Sequence, residues 1–162
     1  MEEYFDEDKE ESLKNKFLTF HLESEVYALE IRFVTEIIGI QKVTMVPDTP
    51  SFIRGVINLR GKVIPIMDVR LRFGMNEQEY DERTCVIVVD VEDITMGLVV
   101  DTVSEVATIE EEQIDRSMAK KSHSNSSIMG LGKCGDEVRI LLDAKELIHS
   151  QDLAFVKEMA EG

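Results

Sequence analysis

The sequence predicts a mainly β protein arranged as two small barrel-like lobes. Three observations predict it. About nine or ten short runs rich in Val, Ile and Leu follow one another, with turn signals roughly every 8–12 residues. Long helical periods between them are missing, which argues against βαβ units and for antiparallel barrels or a sandwich. A polar stretch, Met75–Arg83, then breaks the run near residue 80 and reads as a linker between two halves.

Taken in order, residues 1–15 are acidic and almost free of aliphatics, which reads as a disordered tail. Lys16–Glu23 alternates, with Leu18, Phe20 and Leu22 on one face and Thr19, His21 and Glu23 on the other, as in a half-buried strand. Ser24-Glu25 turns the chain into Val26–Leu29. Phe33–Ile38 is a third strand, on which Val34 and Glu36 share a face at i, i+2, and Gly39 ends it. Val43–Val46 is a short strand, and Pro47-Asp48-Thr49-Pro50 is a turn.

The centre of the chain is Phe52–Gly74. Two apolar arms, Gly55–Leu59 and Lys62–Met67, flank Arg60-Gly61, where Gly61 supplies the positive φ of a tight hairpin. Arg60 at the tip then points to solvent or to a partner. Arg54, Arg60, Lys62, Arg70 and Arg72 face a single acid, Asp68, in a chain of net charge −15. That local basic surface is either a contact site or a set of solvated strand-edge residues. Asp68 caps a short helical turn through Leu71.

Beyond the linker, Thr84–Val91 and Ile94–Val100 are buried strands joined by Glu92-Asp93. Thr102–Ile109 keeps β character, Glu110–Asp115 holds one helical turn, and Ser117–Ser127 is a polar loop. A last hairpin pairs Ser127–Leu131 with Glu137–Leu142. Asp143 caps a helix through His149, and residues 150–162 form a further helical segment.

Composition narrows the function. The acidic balance disfavours nucleic acid and anionic lipid, both of which need a cationic surface. The start, MEEYFDEDKEES, lacks the order of a signal peptide, and no apolar run approaches a membrane span. Cys85 and Cys134 form no C-x-x-C, which argues for a reducing compartment and against a zinc ribbon, and Cys85 reads as an inert core residue. His21, His123 and His149 have no metal-like spacing. Gly130–Gly135 matches G-x-G-x-x-G, but a strand follows where a dinucleotide site needs a helix, so it reads as a turn. Asp68, Asp90 and Asp101 at strand ends either converge as paired carboxylates or serve as turn and cap residues.

The run VTMVPDTPSFIRGVINLRGKVIPIMDVRLRFGM, Val43 to Met75, strongly resembles the CheW family, the chemotaxis coupling proteins. YALEIRFVTEII, GLVVDTVSEV and the final GLGK…VRILLDAKELI match in order and spacing. The resemblance covers roughly residues 16–149. DRSMAKKS, after Ile114, departs from the pattern, because family members commonly carry prolines there.

The resemblance implies two small five-stranded SH3-like β-barrels around a shared core, with a short C-terminal helix. The lobes would run over about 16–80 and 81–149, with strands exchanged between them where the halves interlock. It implies a non-enzymatic adaptor without cofactor or metal. Such an adaptor is cytoplasmic, recruited to membrane-bound receptor arrays, and links chemoreceptor cytoplasmic hairpins to the regulatory domain of a histidine autokinase. A receptor helix would lie in the groove between the barrels, at Ile31, Val34, Glu36, Asn58 and Arg60, and kinase contacts would lie on the barrel ends, near Ile37, Ile38 and Arg54. Glu36 pairs either with a receptor cation or with Arg60. Two other readings are a CheW-like module of a receiver-fused coupling protein or of the kinase, and a small β-barrel enzyme or ligand-binding protein. The chain's end at Gly162 favours the stand-alone adaptor over the module.

Overall fold

The structure is a computed structural model and describes residues 12–117 and 127–148. The tail up to residue 11, residues 118–126 of the polar loop, His149 and the expected helical segment beyond it lie outside the described residues.

Among the described residues there are eleven strands: β1 (Lys16–Leu22), β2 (Glu25–Glu30), β3 (Val34–Gly39), β4 (Ile53–Leu59), β5 (Lys62–Asp68), β6 (Cys85–Val91), β7 (Ile94–Val100), β8 (Thr102–Thr108), β9 (Ile114–Asp115), β10 (Ile128–Cys134) and β11 (Glu137–Leu142). Two short helices, α1 (Val69–Arg72) and α2 (Ala144–Ile148), follow β5 and β11. Both start as the sequence predicts. Asp68 accepts from the Leu71 amide at 3.3 Å, and Asp143 from the Lys145 and Glu146 amides at 3.0 and 3.2 Å.

The strands form a six-stranded sheet, ordered β8-β1-β2-β11-β10-β9, and a five-stranded sheet, ordered β3-β6-β7-β5-β4. The five-stranded sheet is closed by a bridge. Thr44 in the loop after β3 exchanges backbone hydrogen bonds with Val56 of β4, at 2.8 and 2.9 Å. That bridge is all that remains of the strand expected at Val43–Val46, because Pro47 has no N–H to continue a ladder. It also explains Gly55, which sits at φ +141°, where an added Cβ would lie 2.1 Å from the Thr44 carbonyl oxygen. In the six-stranded sheet, β8 passes through the 3-10 turn Glu111–Gln113 into β9, so one short turn joins the two edges.

The lobes are not sequential halves. β1 and β2 are held by the far end of the chain, β1 antiparallel to β8 and β2 parallel to β11. The chain therefore crosses between sheets twice, at the 3-10 turn Ile31–Phe33 and at Asp101, which alone separates β7 from β8. Met75–Arg83 links two strands of one sheet and is strapped down. Tyr80 packs against the five-stranded barrel's interior and donates to Asp68 at 2.7 Å, while Glu77 pairs with Arg54 at 2.9 Å.

Among the described residues there are three apolar clusters. Ile57, Ile64, Ile66, Val86, Val88 and Val99 line the five-stranded barrel, and Phe17, Ala28, Ile109 and Leu141 line the other. The largest cluster lies between them and takes the alternate residues of β6 and β7 together with Leu18, Phe20, Leu22, Met67 and Leu147. Because β1 feeds two clusters, it is buried on both faces rather than half-buried: Phe17 and Thr19 are as covered as Leu18 and Phe20. His21, expected on an exposed face, is half-buried. Cys85 sits at the rim of the shared core, only partly covered.

Candidate protein-interaction site

The β4–β5 hairpin turns at Arg60 and Gly61, which have φ 52° and 86°. Both central residues with positive φ match the type I′ turn that the strand twist favours. The Gly61 amide donates to Asn58 Oδ1 at 2.9 Å, so Asn58, although exposed, also braces the turn. Arg60 does not simply point to solvent. It is ion-paired and hydrogen-bonded to Glu36 of β3, a bond that raises its pKa further. The pair spans the seam where the outer strands of the five-stranded barrel meet.

Val34 and Glu36 do not share a face. Val34 pairs with Val89 and Glu36 with the adjacent Val88, because a bulge at Thr35 shifts the register. Val34 accordingly packs on the shared core, as does Ile31, while Glu36 turns to Arg60. The five predicted receptor residues thus divide into two partly buried apolar groups beside the shared core and a polar seam of Glu36, Arg60 and Asn58.

The predicted kinase residues lie on the same barrel. Ile37 is exposed, whereas Ile38 packs against the barrel interior. Arg54 stands over the Tyr80 ring at 5.9 Å, at the edge of a hollow of about 290 Å³ lined by Ile40, Gln41, Val43, Met45 and Tyr80. Sequence reasoning missed this hollow. Its only signal was the apolar residues of an irregular loop, and Met45 is 85% exposed there.

The expected basic surface is dispersed. Arg54 and Arg60 have acidic partners, Lys62 donates to Thr95 at 3.1 Å, and Arg72 lies over Phe52 at 5.3 Å. Arg70 is buried against Asp101. Each cation found a partner from a different part of the chain, which local composition does not report.

Asp68 and Asp101 do line one small hollow, but each carboxylate is engaged, Asp68 by its cap and Tyr80, Asp101 by Arg70. Burial and then the bond to Asp68 push the Tyr80 phenol well above its usual range. Asp90 is exposed on β6. The glycine motif is strand as well as turn: Gly130 and Gly132 lie within β10, and a Cβ at Gly130 would sit 2.9 Å from the Asp115 carbonyl oxygen of β9. Among the described residues, no cluster of His, Cys, Asp and Glu could hold a metal ion, and no helix is long and apolar enough to cross a membrane.

Fold and surface together define a double-barrel β module whose distinctive groups gather around one hairpin and one strand. A CheW-like domain model matches residues 16–152, and the chain belongs to the CheW family. It is 38% identical to the chemotaxis protein CheW of Klebsiella aerogenes over 94% of this chain and 92% of that protein. It is 34% identical to CheW of Helicobacter pylori over 88% and 85% of the two chains. The crystal structure of the scaffolding protein TtCheW from Thermoanaerobacter tengcongensis superposes with a TM-score of 0.77 at 32% identity, covering 85% of this chain and 94% of that one.

Proposed function

We propose that this protein is a non-enzymatic adaptor that couples the cytoplasmic hairpins of chemoreceptors to a chemotaxis histidine autokinase, within receptor arrays at the cytoplasmic side of a membrane. The family match over residues 16–152 carries the reading. A helical hairpin seated in a groove needs apolar anchors and a few oriented polar groups. Ile31 and Val34 supply the first at the rim of the shared core. Arg60, held by Glu36, and Asn58 supply the second. Ile37, Ile38 and Arg54, with the hollow beside Arg54, would receive the kinase regulatory domain. Each contact is small, so repetition in an array would supply the avidity.

The test is a titration against a receptor cytoplasmic hairpin and, separately, the kinase regulatory domain. Wild type would be run beside Arg60→Ala and Arg60→Glu, the latter setting two acids against each other at the seam. The expected result is binding of both partners by wild type, with Arg60→Glu losing only the receptor. Wild type binding neither partner would end the reading. Loss of both in a variant with a native circular dichroism spectrum would place both partners on one surface.

A further inference from the structure

The core between the barrels is mostly aliphatic, with Leu18, Leu29, Val89, Met96 and Leu98 among its residues. Such contacts hold surfaces together without fixing their direction. Among the described residues the chain passes between the two sheets only at Ile31–Phe33 and at Asp101. A directional contact between the sheets would add to what packing and these two crossovers fix.

The second crossover carries such a contact. Arg70, in α1 directly after β5, donates from Nε to Asp101 Oδ1 at 2.6 Å and from Nη2 to Oδ2 at 2.5 Å. Its Nη1 donates to Glu23 Oε1 at 3.1 Å, in the β1–β2 turn of the six-stranded sheet. The Glu23 amide donates to Asp101 Oδ2 at 2.8 Å, and the Asp101 amide to the His21 carbonyl at 3.2 Å. One guanidinium therefore ties the five-stranded sheet, the crossover residue and the first hairpin of the six-stranded sheet. A ring stack spans the same gap, Phe73 after α1 lying on Tyr27 of β2 at 6.0 Å and Tyr27 on Phe20 at 5.9 Å.

A buried ion pair contributes little stability beyond an apolar pair of the same shape. Its two-pronged bond contributes direction. We propose that Arg70, through Asp101 and Glu23, is a positioning residue that sets the angle between the barrels and so the shape of the groove between them. That a groove lies between the barrels, and what occupies it, rests on the function proposed above. Of the receptor residues named above, Ile31 stands at the crossover, while Val34, Glu36, Asn58 and Arg60 share the five-stranded barrel with Ile37, Ile38 and Arg54. A hairpin that reaches past Ile31 to the six-stranded barrel depends on the clamp, whereas a partner confined to the five-stranded barrel does not.

The experiment places one spin label on each barrel of the full chain, at Val63→Cys in β5 and Val138→Cys in β11, which are 59% and 49% exposed. Cys85 and Cys134 are replaced by Ser. Pulsed electron resonance then reads the distance between labels in the parent, Arg70→Met and Asp101→Asn. The parent should give one narrow distribution, and the variants a broadened or shifted one at temperatures where each is folded. If Arg70→Met does not fold, Asp101→Asn carries the measurement, since its one amide oxygen keeps a single acceptor while its NH2 meets a donor and removes one prong of the fork. In the same variants, affinity for a receptor hairpin should fall about tenfold as the competent angle becomes a minor population, with the kinase domain within about twofold. An unchanged distribution in the folded variants overturns the clamp. A changed distribution with undiminished hairpin binding overturns its link to the groove. Should wild type bind no hairpin, the proposed function fails while the label distances still judge the clamp.

Discussion

Arg60 and Arg70 lie in one basic stretch, and each pairs with a carboxylate distant in sequence, yet the two pairs occupy opposite environments. The Arg60 side chain is 69% exposed over the barrel seam, whereas that of Arg70 is 9% exposed between the barrels. An exposed pair gains little, because water and salt screen it. A buried one is costly to break, because the surviving charge is left without solvent or partner. The difference teaches that the charge pattern of the stretch does not distinguish a surface available to partners from a structural clamp. What closes over each arginine does.

The largest effect that would break the comparison is expected from Arg70→Ala. Truncation leaves Asp101 and Glu23 facing each other without a cation, and should cost roughly 2–3 kcal/mol. That lies below the full cost of a broken buried pair because Asp101 keeps 25% of its side-chain surface in water. Urea unfolding measures it, and a midpoint equal to wild type would mean the clamp adds nothing.

Acid should sharpen the contrast next. Burial pushes the Asp101 carboxyl up, but the Arg70 fork and the Glu23 amide outweigh it and hold the pKa below the ordinary carboxylate value. The group's contribution is then complete above that ordinary value, near pH 4. It declines as pH falls further, because the unfolded chain takes up the proton first, and it is gone once pH passes the lower folded value. The stability gap between wild type and Asp101→Asn should therefore be constant from neutral pH to about 5 and narrow below about 4. A gap that persisted unchanged to pH 2 would remove ionisation of Asp101 from the explanation.

The smallest effect is expected from Arg60→Ala. The thermal midpoint should not move measurably, at low salt or high, because the barrel is also closed by the Thr44–Val56 bridge. A clear loss of stability would make the seam a structural element like the clamp and erase the difference between the two arginines.

The parts of the fold that were legible in the sequence are those whose signals lie within a few residues. The Arg60-Gly61 turn, the caps at Asp68 and Asp143, and the buried strands β6 and β7 all belong here. The candidate site was legible as a list of residues, through the family motif, but not as an arrangement. The bulge at Thr35 that separates Val34 from Glu36 carries no local mark, since Thr is an ordinary strand residue. Arg70 gave no sign of burial, because arginine is nearly always exposed unless paired. Asp101 looked like any acid at the end of a strand.

By itself, then, the sequence determined the mainly β class, most strand limits, the central hairpin and the family, since alternation, turn residues and motif spacing are properties of neighbouring residues. Tertiary structure alone decided that β2 lies beside β11, which strands the interlocked lobes exchange, and which carboxylate each arginine meets. Those choices depend on chain ends that come together only when the shared core forms, and burial of that core is set by the whole molecule at once.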